Sequence, residues 1–276
     1  MKSIAQSTRR SPPRPAATLA RTRCAALADA SVIVIVIVAL AVAVAVTSCT
    51  PVYLAPAAHA PLLARAGDLD VGLYGGTNGT DLTVAYAPMR GLGVIAAASY
   101  AKGSSNADSS HTHRYGELGA GYFLDAGHWA SVEAYGGAGF GSSSGKNTVA
   151  TGGTETPLYA SGTYLRPFAQ VDLALRSSAA DFGIVLRGAY VAYRFDTFSP
   201  SAPAPSRNQA GLFLEPALFL RAGWQMVKLE AQLGIVLPTD IDTAPNVVGN
   251  PFFLHVAVGL HFDLGGLTRR EDPEPS

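Results

Sequence analysis

Apolar and polar residues alternate most regularly over 252–264, FFLHVAVGLHFDL. Leu254, Val256, Val258, Leu260, Phe262 and Leu264 fall on one parity; His255, Ala257, Gly259, His261 and Asp263 fall on the other. A period of two puts these sets on opposite faces of one strand. A face with two histidines and an aspartate suits the polar interior of a closed sheet whose outer face meets hydrocarbon. The same alternation recurs through Asp68–Gly75, Asp81–Pro88, Leu92–Tyr100, His113–Phe123, Trp129–Gly141, Tyr164–Arg176, Asp181–Phe195, Gly211–Trp224 and Gln225–Leu237. The pattern predicts an all-β fold: an antiparallel up-and-down transmembrane β-barrel of about ten strands over 68–265. Pro167 predicts a bulge or a strand end, because it has no N–H for the ladder.

Connections alternate in length, except that the first, expected to be long, is short. Tight turns are expected at 77–79, 89–91, 125–127 and 177–180, and loops at 102–112, 142–158, 197–208 and 238–251. Single-chain outer-membrane barrels keep short turns on the periplasmic side and longer connections outside. An even strand count returns the C-terminus to the side of the N-terminus, so both are expected in the periplasm, with Cys49 in the inner leaflet of the outer membrane. With the first strand running outward, apolar-face aromatics gather near strand ends. Tyr86, Tyr122, Phe182, Trp224 and Phe262 lie low; Tyr100, Phe140 and Tyr190 lie high. Two aromatic girdles around an aliphatic band match the two interfaces of a bilayer.

The opposite face predicts a polar lumen network of Glu117, Glu133, Arg166, Asp172, Arg187, Glu215, Arg221, Lys228, Glu230, His255 and His261. Asp70, Asp81, Arg176 and Asp263 share that face. A ten-stranded barrel is little wider than the size that side chains can fill. Ion pairs are therefore expected to plug it, with Glu133–Arg166 and Arg187–Glu215 as neighbouring-strand pairs.

Ahead of the strands, 1–30 is basic and irregular, and 31–46 is an apolar run too short for a spanning helix, which needs about 20 residues. It matches the apolar region of an export signal. The run ends in Val46-Thr47-Ser48-Cys49, which resembles a bacterial lipobox. That resemblance implies a bacterial signal peptide over 1–48, cleavage before Cys49 and diacylation of Cys49; with an outer-membrane barrel behind it, the expected source is a Gram-negative bacterium. Residues 49–67, Pro/Ala-rich, are expected as an extended linker, and 266–276 as a disordered tail. Tyr53, Pro56, Pro61-Leu62-Leu63 and Gly67-Asp68 resemble the start of a group of uncharacterised lipidated outer-membrane barrel proteins common in Bacteroidetes. The resemblance implies no defined activity.

Charged residues are 14% of the chain with a net charge of zero, so nucleic acid is not an expected partner. The expected partners are membrane lipid and the outer-membrane insertion machinery, which Gly259–Leu264 partly matches as a signal. Any surface ligand is undefined. Both cysteines, Cys24 and Cys49, precede the strands, so no disulfide framework is expected. His255 near the outer rim is a candidate general base. Asp108, His111 and His113 have the residue types of a metal site but lie in a solvated polar stretch, and no catalytic residue, metal or cofactor is assigned. Gly137–Gly141 lacks dinucleotide-loop spacing, and Asn78-Gly79-Thr80 is a glycosylation sequon by letter alone.

The expected role is structural or surface interaction. The alternatives are an embedded hydrolase or lipid-modifying enzyme, a small passive channel, or a soluble lipocalin-like lipoprotein with its apolar residues inside. Replacing the anchor separates the last from the rest. Cys49→Ala is expected to stay detergent-dependent in fractionation, whereas a lipocalin-type barrel would be released as a water-soluble protein.

Overall fold

The computed structural model describes residues 54–106, 109–125, 129–151, 154–177, 179–198, 207–224, 226–239 and 253–265. Cys49, the expected signal peptide and the expected tail lie outside them.

The described residues form ten strands: β1 (Leu69–Gly76), β2 (Gly79–Met89), β3 (Leu92–Asn106), β4 (Ser109–Asp125), β5 (Ala130–Thr151), β6 (Thr154–Arg176), β7 (Ala180–Phe198), β8 (Arg207–Gly223), β9 (Val227–Pro238) and β10 (Phe253–Asp263). Each strand pairs antiparallel with its chain neighbours, and β1 pairs with β10, closing the barrel. Closure leaves no strand edge unpaired, which a sheet in hydrocarbon requires.

The faces follow the sequence parity. Leu173 is 43% exposed and Leu229 44%, while Asp172 and Glu230, one residue away, are fully buried. Val256 shares the outward parity yet is covered: Thr77 in the β1–β2 turn bonds its backbone on both sides, accepting the Val256 N–H at Oγ1 and donating its own N–H to the Val256 carbonyl.

The strands outrun the expected boundaries at one end. β3 to β7 are 15, 17, 22, 23 and 19 residues long, against the roughly 9–11 a tilted spanning strand needs. Most of the expected loops at 102–112 and 142–158 are therefore strand. Their Ser, Gly and Thr residues hide the alternation, but the ladder continues, with Ser144 opposite Ser161 and Thr112 opposite Ser144. Pro167 makes no bulge. The β6–β7 register is the same on both sides of it, and only the pairs at 166 and 167 drop out of the ladder.

The glycine run in β5 has a packing reason. A Cβ on Gly139 would fall inside the ring of Tyr115, and one on Gly141 inside the ring of Tyr164. Inward tyrosines thus lie flat across the bare backbone of the neighbouring strand.

The largest departure concerns 54–67. This segment has no regular secondary structure, and its residues 54–63 lie inside the barrel. Leu54 to Leu63 are all buried. Ala55 packs with Tyr115, Tyr164, Tyr193 and Phe213 towards the long-strand end. Leu63 packs with Ala87, Phe123 and Tyr135 at the opposite end. The chain then turns at Gly67, whose φ is 83°, and enters β1. Leu69 and Asp263 do share one end of the barrel, but Leu54 lies at the other.

Leu173→Arg puts a charge in the outward aliphatic band. The expected loss is about 2–4 kcal/mol of folding stability in lipid vesicles, read as a lowered denaturant midpoint.

Candidate functional site: the occupied lumen

A chain segment inside a barrel brings its own backbone amides into a dry space, where an unpaired group costs several kcal/mol. The wall supplies the partners. Gln232 brackets Ala58: its Oε1 accepts the Ala58 N–H at 2.8 Å, and its Nε2 donates to the Ala58 carbonyl at 2.8 Å. Gln170 Nε2 donates to the His59 carbonyl at 2.6 Å. Arg221 Nη2 donates to the Ala60 carbonyl. Asn78, in the β1–β2 turn, donates from Nδ2 to the Ala55 carbonyl at 2.9 Å. Glu133 accepts the N–H of Leu62 at 3.2 Å and of Leu63 at 2.6 Å.

Leu62 has a φ of 58°, the left-handed region that a branched side chain disfavours. There the two successive N–H groups converge on one carboxylate, which offsets the backbone strain. Asp68 then closes the turn by accepting the N–H of Ala64 at 3.0 Å and of Arg65 at 2.8 Å.

Beneath these contacts the wall charges neutralise one another. Arg166 Nη1 donates to Glu117 Oε2 and to Tyr115 Oη, each at 2.8 Å, and its Nη2 donates to Glu215. Arg187 donates from Nη1 to Glu117 Oε1 at 3.1 Å and from Nε to Gln170 Oε1 at 2.6 Å. Arg221 Nε donates to Glu230 Oε2 at 2.6 Å, and Tyr74 Oη to the same atom at 3.0 Å. His261 Nε2 stands 2.7 Å from Asp70 Oδ2, and His59 of the inserted segment stands 3.6 Å from Asp70 Oδ1. Lys228 Nζ donates to Asp181 Oδ2 at 2.5 Å.

The two ion pairs expected from neighbouring strands are not the ones formed. Glu133 stands opposite Asp172, not Arg166, and spends both oxygens on the inserted backbone. Arg187 is in register with Glu215, but its guanidinium reaches across to Glu117. In a narrow barrel, arginine crosses the lumen as easily as it reaches the next strand.

His255 is 5% exposed, and neither ring nitrogen has a hydrogen-bond partner among the described residues. Its ring lies against Gly234. His113 Nε2 lies 2.7 Å from Tyr164 Oη under a stack of tyrosines; Asp108 is outside the described residues. Asp263 is exposed at the barrel end and accepts the Gly265 N–H. On the outer face, Tyr122 is 72% and Trp224 81% exposed. Tyr86, Tyr100, Phe140, Phe182 and Tyr190 are also exposed, and Phe262 is half-buried. Sequence reasoning missed His59, Gln170 and Gln232. The available signal was two glutamines on an inward parity and a histidine in an otherwise Pro/Ala stretch.

No family model matches the chain, and no curated protein matches it in sequence. Solved structures do. The outer membrane protease OmpT from Escherichia coli aligns with a TM-score of 0.50 at 7% identity, over 73% of this chain and 98% of that one. The translocator domain of the autotransporter NalP from Neisseria meningitidis scores 0.43 at 12% identity, covering 71% and 86%. LpxR from Salmonella typhimurium scores 0.33 at 9% identity, covering 71% and 99%. The likeness to the protease places the chain among outer-membrane β-barrel folds; at such identity it bears on fold alone.

Arg221→Met strands Glu230 and removes the donor to Ala60. A loss of about 3–5 kcal/mol is expected, as for breaking a buried pair from one side, measured by urea unfolding of the detergent-folded protein.

Proposed function

We propose that this chain is a bacterial outer-membrane barrel that houses its own N-terminal segment and presents the upstream residues at the cell surface. The supporting observation is the path of Leu54–Leu63 through the lumen from the long-strand end towards β1. Ten extended residues reach roughly 30 Å, about the thickness of a bilayer's hydrocarbon core. Long strands and connections belong to the external side of such barrels, and tight turns to the periplasmic side. The segment therefore enters the lumen from outside. Cys49 is five residues upstream of Leu54, within about 18 Å of it at full extension. If Cys49 carries the acyl chains its lipobox resemblance implies, they enter the outer leaflet, and the protein is a surface-anchored lipoprotein that crosses the membrane by its barrel. The C-terminal tail stays periplasmic.

The role that fits is structural and surface-interacting. Wall side chains and inserted backbone together fill the lumen, which argues against a standing pore, and the surface loops and the N-terminal stretch carry any recognition. Two measurements test this reading. A cysteine at Pro51→Cys should react with a membrane-impermeant maleimide on intact cells, whereas one at Ser276→Cys should react only after the outer membrane is permeabilised. The reverse result overturns the orientation. Deleting 54–63 should convert a silent barrel into one with measurable single-channel conductance in planar bilayers; a silent deletion variant would mean that the wall alone closes the lumen.

A further inference from the structure

The outer face changes character at one level. Ala98, Gly116, Phe140, Leu165, Ala192 and Ala210 form one register row across β3 to β8. The next row towards the long-strand end is Tyr100, Arg114, Ser142, Thr163, Arg194 and Asn208. One step, two residues along each strand, thus separates an apolar row from a polar one. The described side chains on the outward rows that carry a charge at neutral pH are Lys102, Arg114, Lys146, Arg194 and Asp196, all on this side of the step. Four cations face one carboxylate.

Arg114 and Arg194 line a cleft of about 590 Å³ together with Ser142, Ser144, Thr163 and Asp196. Neither guanidinium makes an ion pair or hydrogen bond with a described residue. Exposed arginines near hydroxyls are common; here two of them, without an ion pair among the described residues, line one cleft at the edge of an apolar belt. Directly below runs an apolar furrow of about 510 Å³, floored by Ala98, Gly116 and Ala138 between Leu118, Phe140 and Leu165. A third hollow of about 470 Å³ shares Thr163 and Arg194 with the cleft and Phe140 and Leu165 with the furrow. The three form a continuous track from charged head to apolar floor. The furrow exists because small residues replace the Leu and Val that cover the rest of the belt.

We infer that this track is a binding site for a phosphorylated, multiply acylated glycolipid of the outer leaflet. The arginines take the phosphate by charge-assisted, forked hydrogen bonds. The serine and threonine hydroxyls and Asp196 meet sugar hydroxyls, and the furrow receives an acyl chain. The inference rests on the outer-membrane reading above, but it is tested apart from it, on purified protein. Detergent-folded protein is offered bis-phosphorylated lipid A, its dephosphorylated form, or inorganic phosphate, and retention is read by native mass spectrometry. Wild type should retain the phosphorylated lipid at least tenfold better than the dephosphorylated one, and should not retain inorganic phosphate. Arg114→Ala with Arg194→Ala should cut retention at least tenfold while the heat-modifiable gel mobility of the folded barrel is unchanged. Ala98→Phe with Ala138→Phe, which fills the furrow and leaves both arginines, should cut it similarly. Equal retention of the two lipids, or wild-type retention by either double variant, would overturn the site. Inorganic phosphate held as well as the lipid would overturn its acylated half. Failure of the surface-labelling experiment alone would strike the orientation and leave the binding result standing.

Discussion

The structure depends on a solvation constraint: peptide groups brought into a dry barrel must find partners there. The segment 54–66 forms no helix, and it cannot join the sheet, because the sheet is already closed by β1 on β10. Its amides and carbonyls are met instead by side chains, with Gln232 on Ala58, Gln170 on His59, Arg221 on Ala60 and Glu133 on Leu62 and Leu63. Pro56 and Pro61 reduce the number of donors that need a partner. The alanines between them keep the segment thin enough to pass between wall side chains.

That constraint orders the wall. Arg221 holds a backbone group as well as an opposite charge, binding Ala60 and Glu230, and Arg187 reaches one indirectly, binding Glu117 and the Gln170 that holds His59. A buried ion pair alone is weak evidence of stability, since desolvation consumes most of its Coulombic gain. Tied to an inserted strand of backbone, the same pairs gain specificity, because only one path of the segment satisfies them together. The inward tyrosines fit the same economy of space, lying across glycines such as Gly139 and Gly141.

Outside, the physics reverses. Packing there has no partner within the protein, and the belt of leucine, valine and aromatic side chains is stable only against an apolar surrounding. Where that surrounding ends, the outward rows turn within one register step to arginine, serine and threonine. The same β-ladder thus runs through hydrocarbon and into the polar layer without a change of backbone, and only the side chains record the boundary.

The alternation of the sequence determined the strand count, the antiparallel order and which side of each strand faces in. A period of two is a local property, readable wherever large and polar residues alternate, as in 164–176 or 254–264. It failed where side chains are small: Ser142–Lys146 reads as loop and Ala160–Thr163 falls between the expected loop and strand, yet both pair as strand, since a ladder needs backbone groups and not contrast. The partners of the buried charges were equally illegible. Glu133 and Arg166 sit on adjacent strands, but their distance depends on register and on which side chain spans the lumen. The path of Leu54–Leu63 was decided only by the closed tertiary structure. Composition can say that a Pro/Ala stretch is extended; whether it lies under the barrel or through it depends on the polar groups that ten strands bring together around it.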